Sequence, residues 1–249
     1  MIRGLIDSGG AMMARSLQTD ITSNNLANTQ TTGFKQDRLN FRDLIDHRLV
    51  VDRGRGVPNP ENRLRAGMET RWTEGPLEST GAELDFALEG PGFFAIQGLD
   101  GREHYSRNGH FLLADDGSLV TSEGLPVMGD AGPLQLGPGP VEMSGDGQLV
   151  QGGVVVGKLK LVEFEDRTYL AKLGHSLFIP TNEDMAGPRT AESTKAHQGT
   201  LEGSNGGVVE LMVGMIEQEK LFTFAQRALR THDENLARAV GELGRVEIK

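Results

Sequence analysis

The chain has 249 residues, 25 Lys+Arg against 35 Asp+Glu, a formal net charge of −10 and no cysteine. That length supports one large domain or two modest ones, and the acidic balance repels phosphate backbones, so nucleic acid is not an expected partner. Without cysteine there are no disulfides, thiolate nucleophiles or Cys-ligated metals, and no apolar run reaches the ~18 residues of a membrane span.

The N-terminal residues Met1–Asp7 lack a basic segment followed by a long apolar run, so no Sec-type signal is expected. Residues 1–28 predict a helix: Ile2, Leu5, Ile6, Met12, Met13, Leu17, Ile21 and Leu26 recur at steps of three and four, with no proline. Gly4, Gly9 and Gly10 each weaken it by roughly 1 kcal/mol, so something beyond local propensity must hold this helix. Residues 46–75 read as an extended charged connector. They interleave Arg48, Arg53, Arg55, Arg63, Arg65 and Arg71 with acids and contain Pro58 and Pro60.

From 76 to 198 the period changes. Short β-rich runs appear at 84–88, 93–97, 111–114, 119–121, 141–143, 154–164 and 177–179. Turn signals separate them at Gly90-Pro91-Gly92, Asp100-Gly101, Asn108-Gly109, Asp116-Gly117, Gly137-Pro138-Gly139-Pro140 and Asp146-Gly147, where glycine supplies positive φ. Asp116-Gly117-Ser118-Leu119-Val120 returns as Asp146-Gly147-Gln148-Leu149-Val150, the same turn-then-strand device used twice.

Residues 199–249 predict a coiled-coil helix. With Val208 at position a, Met215, Phe222, Leu229, Leu236 and Leu243 continue an unbroken apolar a row, and Leu211, Gln218, Ala225, His232 and Ala239 fill d. Ser204 or Asn205 is the expected N-cap. A helix over 208–243 would run ~54 Å and needs another helix to cover its stripe. The fold class expected is therefore α+β. The N- and C-terminal helices (1–45 and 199–249) pair as a coiled-coil-like domain, joined through the 46–75 connector to a central antiparallel, mainly-β domain over 76–198.

No chemistry-bearing constellation emerges. Gly90-x-Gly92-x-x-Ala95 fits a dinucleotide fingerprint nominally, but Phe93-Phe94-Ala95-Ile96 follows as strand where a helix N-terminus is required. Six histidines (47, 104, 110, 175, 197 and 232) form no metal-ligand spacing, although His104 and His110 flank one turn. Asp115-Asp116 reads as a turn and Glu163-Phe164-Glu165-Asp166 as a solvated strand end. No GxSxG, SxxK or P-loop is present. The expectation is a non-enzymatic protein with no cofactor and no metal. Trp72, Tyr105 and Tyr169 offer only a thin aromatic face to the alternative, a glycan-binding β module on a stalk.

Residues 23–35, Ser-Asn-Asn-Leu-Ala-Asn-Thr-Gln-Thr-Thr-Gly-Phe-Lys, closely resemble the N-terminal signature of bacterial flagellar rod and hook proteins. Leu201-Glu202-Gly203-Ser204-Asn205 with Glu210-Leu211-Met212-Val213-x-Met215-Ile216 is similar to that family's C-terminal helix entry. Leu84-Asp85-Phe86-Ala87-Leu88-x-Gly90-x-Gly92-Phe93-Phe94 and Tyr105-Ser106-Arg107-Asn108-Gly109-x-Phe111 resemble its β-domain strands. Residues 126–133 and the short stretch from Phe34 to Leu84 look more like the proximal than the distal rod protein. Gly206-Gly207 and Lys220-Leu221-Phe222 depart from the family pattern.

The resemblance implies a structural subunit of the periplasm-spanning rod, partnered by copies of itself and by other rod proteins. It also implies passage through the flagellar type III export apparatus. The terminal helices would form an inner tube wall with the β domain outside. The expected assembly interface comprises Leu5, Met12, Asn24, Asn25, Leu26, Asn28, Gly33, Phe34, Val208, Leu211, Met215, Phe222, Leu229, Leu236 and Leu243. The Asn-rich segment 24–28 has two readings, subunit-bridging amides or a helix C-terminus with Asn in the left-handed region.

Overall fold

A helix at each end of the chain brackets a strand-rich middle. The computed structural model describes residues 2–40, 68–144, 146–181 and 187–246, within which helix α1 spans Ile2–Ala27 and helix α2 spans Val208–Val246. At 39 residues, α2 is about 58 Å long. The chain divides into two units: α1, the strand Asp37–Leu39 and α2 belong to one, and residues 28–36 and 69–206 to the other. The arginines from 48 to 65 in the expected connector lie outside the described residues.

In the helical unit α1 packs against α2, and Gln218 Nε2 donates to Thr22 Oγ1 at 3.0 Å. This tertiary contact supplies what the three glycines withhold from α1. On α2 the half-buried described positions include Leu211, Met215, Gln218, Phe222 and Ala225, which fall on the predicted a and d spacing, and Gly214, which lies beside it at g. Val208, the first a residue, is exposed. The side chains of Leu5, Met12, Leu229, His232, Leu236, Ala239 and Leu243 lie outside the described residues.

Two expectations at the helix ends are corrected. The first intrahelical bond of α2 runs from Leu211 N to Gly207 O at 3.0 Å, so Gly207 opens the helix. Neither Ser204 nor Asn205 caps it: Ser204 Oγ accepts from Gly206 N at 3.3 Å, and Asn205 is engaged elsewhere. At the end of α1 no Asn is left-handed. Among the described non-glycine residues only His175 and Ser176 have positive φ, and the chain turns through Thr31 N donating to Asn28 O. Asn25 instead reads the backbone of Asp37 in both directions. Its amide donates to Asp37 O at 2.7 Å and its carbonyl accepts from Asp37 N at 3.0 Å.

The second unit is antiparallel throughout. Its largest sheet has six strands in the order Leu170–Gly174, Leu177–Pro180, Glu103–Ser106, Phe93–Gln97, Leu161–Glu163, Arg189–Thr190. Phe93, Phe94, Ala95 and Ile96 are all fully buried because this central strand has a core on each face. Phe94 and Ile96 face one apolar cluster with Phe86, Phe111, Leu119, Val127 and Leu149. Phe93 and Ala95 face the other with Tyr105, Val162, Phe164 and Phe178. The strict period of two in a strand explains the division.

The expected run 154–164 is two strands. Val154–Lys158 pairs in a three-stranded sheet with Val141–Met143 and Gln148–Gln151, and Leu161–Glu163 crosses into the large sheet. Buried Leu159 marks the switch, its N–H donating to Gly147 O at 2.9 Å. The repeated device is as expected: Gly117 and Gly147 have φ of 82° and 85°, and each precedes a strand. Asn108-Gly109 differs, for Gly109 lacks positive φ. It is needed because a Cβ there would lie 1.8 Å from Phe86 O.

Candidate functional site

The segments singled out in the sequence meet inside the β-rich unit. Lys35, Arg107 and Glu202 are each only 1% exposed. Glu202 Oε1 accepts from Lys35 Nζ at 2.5 Å and from Gly75 N at 2.9 Å, and Oε2 accepts from Arg107 Nη1 at 3.3 Å. Lys35 Nζ also donates to Thr73 O at 2.9 Å, and Arg107 Nη2 to Gly90 O at 2.6 Å. The Arg107 guanidinium stacks over the Phe93 ring at 5.0 Å, leaving its buried Nε without a partner. One carboxylate thus joins chain segments around residues 35, 75, 107 and 202.

Charge and backbone explain why these residues and not others fit. Burial pulls the Lys35 ammonium below the ordinary lysine range, while the facing Glu202 carboxylate opposes the shift. Arg107 is lowered for the same reason and again opposed by Glu202; guanidinium chemistry keeps it charged. The exposed Glu74 supplies further negative potential to both cations. Gly33 has φ of 65°, its N–H donates to Glu202 O at 2.7 Å, and a Cβ would lie 2.4 Å from the Arg107 carbonyl carbon and Asn108 N. Thr32 Oγ1 donates to Asn108 Oδ1 at 2.7 Å.

Asn205 completes the junction. Its Oδ1 accepts from Gln36 N at 2.7 Å, and its Nδ2 donates to Arg71 O at 2.7 Å and Thr73 O at 3.1 Å. Lys172 reaches over from the large sheet, donating to Lys35 O and sitting 4.5 Å from the Phe34 ring centroid. The matched motifs therefore form a clamp that holds the segments flanking both helices on one β scaffold.

Three segments of the chain match known protein families. Residues 8–35 match the flagella basal body rod protein family, 87–160 the flagellar hook protein FlgE/F/G D1 domain, and 197–241 the flagellar basal body rod FlgEFG protein C-terminal family. The chain is 33% identical over 233 residues to flagellar basal-body rod protein FlgF of Caulobacter vibrioides, covering 92% of this chain and 93% of that protein. The chain belongs to the flagellar basal-body rod protein family. Flagellar basal-body rod protein FlgG of Buchnera aphidicola subsp. Acyrthosiphon pisum is 31% identical over 257 residues, covering 95% and 98% of the two chains. FlgF of Rhizobium meliloti is 29% identical over 249 residues, covering 98% and 99%. As a member of this rod family, the chain is a structural protein of the flagellar basal body that assembles with other rod components. No described helix is long and apolar enough to cross a membrane.

The clamp of this rod protein was only half legible. Gly33 and Phe34, both among the residues expected at an assembly interface, lie at this clamp within the chain. Lys35, Arg107 and Glu202 stand inside the motifs with no role legible from sequence, and Asn205 reads there only as a helix cap. Asn24 is exposed, Asn25 is spent within the chain, and Leu26 and Asn28 are half-buried. Other polar candidates have structural work. His110 Nδ1 lies 2.7 Å from Asp85 Oδ1 and His104 Nε2 3.4 Å from Asp100 Oδ1, so the two histidines address different carboxylates. Trp72 packs on Phe93 and Phe178, with centroids at 5.6 and 4.9 Å, and so belongs to a core, not to a sugar-binding face.

Four carboxylates of the two acidic stretches, Asp116, Glu163, Glu165 and Asp166, have partners within the chain. Glu163 Oε1 accepts from Ser193 Oγ at 2.8 Å and Thr194 Oγ1 at 3.0 Å, and Glu165 pairs with Arg189 at 2.7 Å. Asp116 accepts from Ser118 N and Asp166 from Thr168 N, both at 2.9 Å. The Ser118 backbone N–H holds Asp116 below the usual carboxylate range, and the Thr168 side-chain and backbone bonds do the same for Asp166. A carboxylate depressed in the folded state contributes stability above its unfolded value, near 3.9, and loses it as pH falls through the folded value. The contribution of these two groups to the melting temperature should therefore be constant from pH 7 to 5 and fall below about pH 4. In Asp116→Asn/Asp166→Asn the acid limb should be shallower; thermal scans showing identical acid slopes would disprove the assignment.

Proposed function

We propose that this rod protein is a subunit of the proximal rod, FlgF-like in position. In this reading its two terminal helices pair in coiled-coil fashion and stack helically with those of neighbouring subunits into the torque-transmitting shaft. The observation that carries the reading is the distribution of apolar surface on α2. One face, with Leu211, Met215 and Phe222, is half-covered within the chain. A second face, with Val209, Met212, Val213, Ile216 and Phe224, is 51–76% exposed. A single chain covers one stripe and leaves the other for a neighbour, which is what a polymer subunit requires.

The proximal position is supported by chain economy. The match to Buchnera FlgG takes 257 aligned positions for 95% of this 249-residue chain, so about twenty of them are gaps in this chain, against about four in the Caulobacter FlgF match. The Caulobacter FlgF match covers 92% of the chain in 233 residues. Transit through the type III export apparatus follows from the same reading: with one apolar face uncovered, the terminal helices are held only by each other in the single chain, open for passage, and gain their full stability when subunits at the growing end cover them. A strain lacking this chain should be non-motile, with axial structures that stop before the distal rod in images of purified basal bodies. A complete distal rod in that strain would refute the proximal assignment.

A further inference from the structure

We propose that Glu202 is a completion latch: the β-rich unit reaches its native packing only once the chain from about 195 to 205 is available. It rests on the export reading for its purpose, but its physical basis is internal to the β-rich unit.

The strand Phe86–Glu89 places Phe86, Ala87 and Leu88 in the core, and its ladder partner is Lys195–Gln198, with Ala196 opposite Leu88. The strand Leu77–Ser79 pairs with Thr200–Glu202. Gly199 O accepts from Thr80 N at 2.8 Å and Gly81 N at 3.0 Å. These ladders bring Glu202 against Lys35, 167 positions away in sequence, and Asn205 against Gln36, 169 positions away.

Before residue 202 arrives, closing the unit would bury two cations, Lys35 and Arg107, with no buried carboxylate between them. An uncompensated buried charge is strongly unfavourable, and contacts at such separation form late. A chain delivered N-terminus first, by synthesis or by threading, therefore keeps this unit open until about four-fifths of it has emerged. The latch times the folding of this unit.

The test uses the purified full chain, refolded from denaturant, with pulse-labelled amide exchange and equilibrium unfolding, so its outcome is independent of any motility result. In the wild type, amides of 93–97 and 195–202 should gain protection in one phase. Glu202→Gln should lower the folding equilibrium constant by about 10²-fold or more, since it leaves Lys35 and Arg107 facing a neutral group. Lys35→Met/Glu202→Gln removes one of the two stranded cations and should recover at least about tenfold of that loss. If Glu202→Gln fails to fold while the double variant folds, the latch stands. It is overturned if Glu202→Gln stays within about threefold of wild type, if the double variant recovers nothing or also fails to fold, or if 93–97 is fully protected in a phase preceding 195–202.

Discussion

Gly33→Ala is expected to destabilise the β-rich unit by about 2–5 kcal/mol. Two effects add. A non-glycine residue at φ of 65° costs roughly 1–2 kcal/mol. The new methyl would also sit 2.4 Å from backbone atoms of Arg107 and Asn108, which cannot rotate aside as a flexible side chain would. Overpacking against such neighbours typically costs another 1–3 kcal/mol. Relief would require Gly33 N to withdraw from Glu202 O, loosening the strand that carries the clamp carboxylate. For a unit of this size the melting temperature should drop by on the order of 10 °C. Gly81→Ala is the control: φ there is 70°, but nothing lies within 4 Å of a Cβ, so only the conformational cost remains. If both variants melt within a degree of each other, close packing at Gly33 is not what selects glycine.

The second large effect concerns assembly. Ile216→Asp is expected to abolish motility while leaving the isolated chain as stable as wild type. Ile216 is 52% exposed on α2, on the face away from Met215 and Phe222. In the single chain an aspartate there stays hydrated. In a polymer that covers this face, each subunit would bury an unpaired carboxylate against apolar neighbours, costing several kcal/mol per contact. Repetition along the shaft multiplies the penalty, so swimming should fall to the level of the deletion strain. Met215→Asp sits on the half-covered face and should in addition lower the helical signal of the monomer, because it disrupts packing on α1. Melting and swim-plate assays on both variants separate the faces. A motile Ile216→Asp strain would mean that this side of α2 meets solvent in the assembled rod.

Both helices, the β-rich character of the middle and the resemblance to the rod family are legible in the residues alone. Those features rest on local information: a 3.5-residue apolar repeat, Asp-Gly and similar turns, and contiguous motifs. Phe93–Gln97 was readable residue by residue because a fully buried strand shows as an unbroken apolar run. Thr200–Glu202 and Lys195–Gln198 escaped because their residues are polar, and their ladder partners lie more than a hundred positions earlier. Propensity alone offers Ser204 or Asn205 as the cap of α2, whereas the Asn205 side chain bonds the backbone of residues 36, 71 and 73. The roles of Lys35, Arg107 and Glu202 emerge from the folded contacts and from nothing shorter in range. A charged residue in a motif has no readable partner until the fold removes water and brings the opposite charge within 2.5–3.3 Å. Burial makes that pairing obligatory, and burial is a property of the whole chain, not of any stretch of it.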